Sequence, residues 1–207
     1  MLRYFCSLLL FLFFISPVKG ETKIFNSYKA ATETPYGDVT QLLEDSQGYL
    51  WISTWNGLVR FDGVDYKLYT RSKEDPYSIP HDVCFSLYED SKQRLWIATG
   101  RGLAIYNREM DNFISVPFKG RIKKGVYKMI EDTDGSFWIL TYIDLLHYDR
   151  EKGVAHSYPI LGNDLINIGD YIWISSEGNG IHILDKKNQT IRKYRDKGNT
   201  VSPNVNL

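Results

Sequence analysis

Apolar and polar residues alternate in short runs along the chain, and the runs recur. Tyr49-Leu50-Trp51-Ile52-Ser53-Thr54 is aromatic and β-branched, as strands prefer. It lies between two turn signals, Asp45-Ser46-Gln47-Gly48 and Asn56-Gly57. In the first, the Asp carboxylate accepts backbone N–H groups just ahead of it and Gly tolerates positive φ. The second predicts a type I′ hairpin turn with positive φ at both residues. Residues 58–61 then run back as the next strand.

The stretch returns at 89–103, at 131–141 and, weaker, at 171–181. Its tryptophans, Trp51, Trp96, Trp138 and Trp173, stand 45, 42 and 35 residues apart. Four short strands at a period of about 40 residues are the signature of propeller blades. In each unit strand A precedes the Asp turn, strand B carries the Trp, and strands C and D follow. Residues 21–207 therefore read as all-β: an incomplete β-propeller of four blades of four antiparallel strands, plus the start of a fifth. The blades fall near 39–69, 83–116, 126–158 and 164–194, and the next begins at 200–207, where Ser202-Pro203-Asn204-Val205 echoes the approach to strand A of the second unit. Residues 23–28 look like a strand D without a blade of its own, a closing strand that would hide sheet edges. Because four blades and two stray strands do not close a ring, the chain reads as the front part of a larger propeller.

The repeat deviates at three points. Gln93 stands where the first turn has Gly, and positive φ there should cost about 1 kcal/mol. Asp144 stands where the B–C turn of the third unit should have Gly. The fourth unit lacks the Glu-Asp-x-x-Gly signal, so Asn167 or Gly169-Asp170 must turn the chain differently.

Composition narrows the function. Lys plus Arg and Asp plus Glu both number 25, which argues against a nucleic-acid groove or an anionic membrane as the main partner. Residues 1–20 read as a signal peptide: Arg3 leads an apolar run of about 11 residues, too short to span a bilayer, with Val18-Lys19-Gly20 at the cleavage point. Cys6 falls inside that run, which leaves Cys84 on an inner strand as a buried, inert thiol.

The pattern Glu-Asp-x-x-Gly-x-x-Trp-Ile-x-Thr-x-x-Gly-Leu-x-x-Phe/Tyr-Asp, best kept at 44–62 and 89–107, then 131–149 and partly 171–185, resembles the two-component regulator propeller repeat. The resemblance implies the periplasmic sensor part of a hybrid histidine kinase anchored in the inner membrane, often one responding to oligosaccharides. Its implied partners are the remaining blades and a transmembrane kinase part, with a homodimer through the missing part as a further expectation. Kinase activity would belong to a parent protein and not to this chain. The repeat is also similar to that of lyase-type propellers. The alternatives are an exported propeller lyase or glycan-active enzyme, and a non-catalytic interaction scaffold.

Candidate sites are sought off the repeat. The pairs Glu44/Asp45, Glu89/Asp90 and Glu131/Asp132 recur in every clear unit, so they read as turn caps rather than catalytic carboxylates, and the four tryptophans read as packing between blades. The residue after the strand-B Thr or Ser differs each time: Trp55, Gly100, Tyr142 and Glu177. Trp55 and Tyr142 are expected on the face of the B–C loops, where sugar rings can stack. Arg101, Glu177 and Asn179 neighbour them, and His81 and Asp82 lie in the long D–A loop opening on the same face. No catalytic set and no cofactor are expected. His81, His147, His156 and His182 lack metal-ligand spacing, and Asp132-Thr133-Asp134-Gly135 lacks the later Glu of a calcium loop.

Overall fold

The computed structural model describes residues 37–117, 125–149, 152, 155–194 and 201–205. They lie in the compact unit Pro35–Leu207, and every regular element among them is a strand. The signal peptide expected at 1–20 and the closing strand at 23–28 fall outside the described residues.

Four antiparallel sheets follow one another in chain order. The first is β1 (Val39–Glu44), β2 (Leu50–Thr54), β3 (Gly57–Phe61) and β4 (Tyr66–Tyr69). The second is β5 (Cys84–Glu89), β6 (Leu95–Thr99), β7 (Gly102–Asn107) and β8 (Asn112–Ser115). The third is β9 (Val126–Glu131), β10 (Phe137–Thr141), β11 (Leu145–Tyr148) and β12 (Ala155–Tyr158). The fourth is β13 (Asp164–Ile168), β14 (Tyr171–Ser176), β15 (Gly180–Asp185), β16 (Thr190–Tyr194) and β17 (Val201–Val205). β1 lies against β5, β5 against β9, and β9 against β13. The first strand of each sheet is thus innermost, as in blades round an axis, and the expected incomplete propeller is borne out.

The core is three apolar layers, one at each blade junction. Trp51, Leu58 and Tyr69 meet Leu87, Leu95, Ile97 and Phe113. Trp96, Ala98 and Leu103 meet Met129, Phe137 and Ile139. Trp138, Leu140 and Leu145 meet Leu165, Ile172 and Leu184. Period-two alternation makes this possible, because one face of each sheet looks to the preceding blade and the other to the next. The outward faces of the first and fourth sheets keep the same apolar register. Leu42, Ile52, Val59 and Leu68 pair across the first sheet, with Leu42 59% exposed. Ile166, Trp173 and Ile183 pair across the fourth, with Ile166 56% exposed.

Buried carboxylates lock the junctions. Asp45 Oδ1 accepts the N–H groups of Gln47 and Tyr49, both at 3.0 Å, while Oδ2 accepts the Trp51 indole N–H at 2.9 Å. Asp90 repeats this with Lys92, Arg94 and Trp96, and Asp132 takes the Trp138 indole at 2.8 Å. A cation from the next blade completes two of these sites: Arg108 reaches Asp45 at 2.7 Å and Lys186 reaches Asp132 at 3.0 Å. The repeat's Glu serves the junction rather than its own turn. Glu89 accepts the N–H and hydroxyl of Ser46, and Glu131 those of Ser91, each in the preceding blade. The outer rim of the first junction gathers on Asp111, which takes Lys67, Arg60 and the hydroxyls of Tyr69 and Tyr106.

Gln93 takes the expected positive φ, 57°, and Gly169-Asp170 makes the tight turn of the fourth sheet between Ile168 and Tyr171. The type I′ turn expected at Asn56-Gly57 is not formed. Thr54 pairs with Gly57, so Trp55 and Asn56 are the turn's centre, and of the two expected residues only Gly57 has positive φ, 134°. The Thr54 hydroxyl explains the change: it accepts the Asn56 N–H and donates to the Gly57 carbonyl. A Cβ on residue 57 would also stand 2.8 Å from the Tyr69 carbonyl oxygen, so Gly is needed for space as well as for φ. Asp144 keeps an ordinary φ, because its carboxylate is held by the hydroxyls of Thr141 and Ser157. At 200–207 the sequence reads the start of a blade; in the structure Val201–Val205 pairs with β16 on the fourth sheet. The backbone groups along the outer edge of β16 are satisfied by whatever strand lies nearest, and here it is the segment that follows.

Two outcomes are expected. Asp132→Ala leaves the Trp138 indole, Lys186 and Asn167 without their shared acceptor and should lower unfolding stability by about 3 kcal/mol, read from urea transitions of the full chain. Burial alone would raise the Asp111 carboxyl, but hydrogen bonds from Lys67, Tyr106 and Tyr69 and the Arg60 charge outweigh it and hold it at about 2, below the ordinary 3.8. Its stabilisation is therefore complete above about pH 4 and lost as pH falls through about 2, and Asp111→Asn should flatten stability against pH within that window.

Candidate functional site

The B–C turns and D–A loops open on one face, and a hydrogen bond ties them together in each of the first three blades. The N–H of Trp55 donates to Asp38 O at 3.2 Å, that of Gly100 to Val83 O at 2.9 Å, and that of Tyr142 to Gly125 O at 3.3 Å. Just inside this rim, strand A of each of these blades carries one extra residue. The register with strand B slips at Thr40, at Phe85 and at Tyr127. Such β-bulges re-aim a side chain out of the pleat.

In the first blade the bulged residue is spent on structure, since Thr40 Oγ1 donates to Cys84 O at 2.7 Å. In the second and third it is aromatic. Phe85 lies 6.1 Å from Trp55, 5.1 Å from Tyr127 and 5.7 Å from Tyr142, all edge to face, and Tyr127 meets Tyr142 at 4.4 Å. Trp55 and Tyr142, 51% and 37% exposed, thus stand either side of a half-buried Phe85 in a row spanning three blades. Burial raises the Tyr127 and Tyr142 hydroxyls above their ordinary value, with Tyr127 adding to the effect at Tyr142. Both stay protonated at neutral pH and can donate.

The seven residues expected at the site divide. Trp55 and Tyr142 are brought together through Phe85. His81 lies on the same rim, its ring against Gly100 and its Nδ1 accepting the Val83 N–H at 3.0 Å. Asp82 serves its own loop, where Oδ1 accepts the Arg71 N–H at 2.7 Å. Arg101 is exposed at the turn of the second blade. Glu177 and Asn179 sit in the fourth blade's turn, where Asn163 Oδ1 accepts the Glu177 N–H and Ser176 O the Asn179 N–H. Sequence reasoning missed Phe85 and Tyr127. Their signal was present: each stands four residues before the repeat's Glu, the position Thr40 holds in the first blade.

Clefts on the opposite face, one of about 480 Å³ between the second and third blades, are lined by Ser91, Arg94, Glu131 and Asp134. Glu131 is committed there to the junction and Asp134 to Ser136. His147 stacks on Trp138 at 4.3 Å and bonds Ser136, a packing role. Among the described residues no His, Cys, Asp and Glu gather as a metal site. Burial pushes the Cys84 thiol up to about 12, with Asp82 contributing, as an inert thiol requires.

Known proteins match this picture. The family described as two component regulator propeller matches residues 34–56 and 78–101, bearing out the repeat recognised in the sequence. A curated relative, histidine kinase P4 of Formosa agariphila, is 33% identical over 75 residues, 35% of this chain and 6% of that protein. The extracellular domain of BT3049 from B. thetaiotaomicron, described as a hybrid two component system, superposes with a TM-score of 0.69 at 22% identity, covering 78% of this chain and 25% of that one. That of BT4673 from the same organism, described as a one component system, gives 0.67 at 25% identity, covering 76% and 25%. Virginiamycin B lyase of Staphylococcus aureus gives 0.59 at 15% identity, covering 80% and 58%, and shares the fold alone. The chain thus spans about a quarter of these extracellular domains and a small part of the kinase.

Gly125 tests the seating of the row. A Cβ there would stand 2.0 Å from Tyr142 Cε2, so Gly125→Ala must displace the ring. The expected result is a changed near-ultraviolet circular dichroism spectrum and an unfolding stability lowered by about 1 kcal/mol or more, read from urea transitions.

Proposed function

We propose that the chain is the front part of an extracytoplasmic sensor propeller whose B–C face binds an oligosaccharide and passes the bound state to a membrane-anchored two-component partner. The observation that carries this is the row of Trp55, Phe85, Tyr127 and Tyr142 across three blades. Partly exposed aromatic planes flanked by protonated phenols suit sugar rings, which offer an apolar face and a rim of hydroxyls. The match to the two-component regulator repeat and the likeness to the extracellular domain of a hybrid two component system support the same reading. The apolar outward faces of the first and fourth sheets suit the remaining blades of a longer propeller. The proposed location is the periplasm, with the parent anchored in the inner membrane.

A propeller lyase is the second reading, favoured by the fold shared with virginiamycin B lyase, whose H270A variant is described as catalytically inactive. His81 is the histidine on the candidate face here. Its Nδ1 is committed to a backbone N–H rather than to a carboxylate, so no orienting acid prepares Nε2 to take a proton. That favours binding over catalysis.

Calorimetric titration of the full chain with neutral hexasaccharides from cellulose, xylan and starch checks the proposal. Trp55→Ala and Tyr142→Ala should each weaken binding about tenfold or more. Unchanged affinity in both variants removes this face from the site. Shortened or unsaturated products in the mixture would favour the enzyme.

A further inference from the structure

Rings and glycines exchange places along the candidate face. In the third blade the B–C turn supplies the ring and the D–A side supplies the glycine: Tyr142 lies on Gly125. In the second blade the B–C turn supplies Gly100 and the D–A loop supplies the ring, His81, whose Nδ1 would lie 2.8 Å from a Cβ on residue 100. The backbone bond from turn to loop is the same in both. The second blade has thus put an imidazole on the rim where its neighbours have an indole and a phenol.

That imidazole is fixed in one tautomer. Nδ1 accepts the Val83 N–H at 3.0 Å, so the proton of the neutral ring is on Nε2. Asp82, the adjacent carboxylate, has Oδ1 occupied by the Arg71 N–H. Nε2 has no hydrogen-bond partner among the described residues. The ring is half-buried against Gly100, three residues ahead of the Cys84–Phe85 step that seats the aromatic row.

We propose that His81 is the polar reader of this face. Its Nε2–H is a positioned donor on the rim of the blade that carries Phe85, and it selects ligands with an acceptor oxygen, a sugar hydroxyl or an amide carbonyl, next to the ring that stacks on Trp55 or Tyr142. A ligand lacking that oxygen leaves the N–H unpaired in a partly enclosed site, which is how one hydrogen bond becomes discrimination. Gly100 belongs to the device, since any side chain there pushes the imidazole off its seat. The inference rests on the ligand-binding reading of the face.

Nitrogen-15 NMR of the full chain tests the tautomer without ligand: His81 should show a pyridine-type Nδ1 and a pyrrole-type Nε2, and the reverse assignment overturns the proposal. The ligand arm uses the tightest-bound of the three neutral hexasaccharides. His81→Phe, which keeps a ring but no donor, should weaken binding about tenfold, and Gly100→Ala, which moves the imidazole without deleting it, should do likewise. His81→Asn, with an amide N–H, should recover part of the loss. If Trp55→Ala loses affinity while His81→Phe and Gly100→Ala bind like the parent chain, the role of His81 falls and the face stands. If none of the hexasaccharides binds, both fall together.

Discussion

A carboxylate buried at the head of an A–B turn must be surrounded by donors, and at the first and third junctions that requirement ties one blade to the next. Asp45 is 4% exposed, and a bare charge there would be intolerable. Its own turn gives two backbone N–H groups and the strand-B indole. Arg108 from the second blade gives the compensating charge. Burial pushes this carboxyl up, but the bonds from Arg108, Trp51 and Tyr49 win and hold it below its ordinary range. The carboxylate thus fixes the turn, orients the indole that fills the junction, and sets the distance to the neighbouring sheet. Asp132 does the same with Trp138 and Lys186, across a junction otherwise unlike the first. Packing alone would leave two twisted sheets free to slide. Directional bonds at one end of the layer remove that freedom.

Repetition therefore loads one face of the molecule with structural duty. The A–B and C–D turns carry the carboxylates, the cations and the Glu–Ser bonds, so the clefts on that face are lined by groups already committed. The B–C and D–A side needs only one backbone bond per blade to hold its rim. Side chains there are free to differ, and they do: Trp55, Gly100, Tyr142 and Glu177 hold equivalent positions. The bulge in strand A enlarges this freedom, because the extra residue leaves the alternation that packing demands. Where it is Thr40 it bonds the neighbouring strand; where it is Phe85 or Tyr127 it faces the rim.

The repeating part of the fold was legible because its cause is local. Alternation predicts the strands, and Asp six and Gly three residues before a Trp predict the turn. What failed was chemistry acting through a side chain that a pattern does not weigh. Asn56-Gly57 reads as a type I′ turn, yet the Thr54 hydroxyl recentres the turn by one residue. Asp144 reads as a stand-in for Gly in the conformation Gly would take, yet two hydroxyls keep it at an ordinary φ. Glu89 and Glu131 read as parts of their own turns, yet the partner of each is a Ser some 40 residues earlier. At the candidate face, Trp55 and Tyr142 were visible as departures from the repeat. Phe85 and Tyr127 were hidden by their place inside strands, since only the slipped register shows that they leave the sheet.

The row's position across blades bears on how binding can become a signal. A ligand shifts a conformational equilibrium only as far as it prefers one arrangement over the other. A pocket inside a single blade would bind equally well whatever the angle between blades. Trp55, Phe85 and Tyr142 come from three different sheets, so the spacing a ligand meets depends on how those sheets are set. The carboxylate locks hold the opposite ends of the same junctions. A molecule bridging the open rim therefore acts at the far end of a layer pinned at its base, where a small change of tilt gives the largest change of spacing. The geometry suits a sensor for that reason, and the size of any shift is bounded by the stacking energy the row can offer.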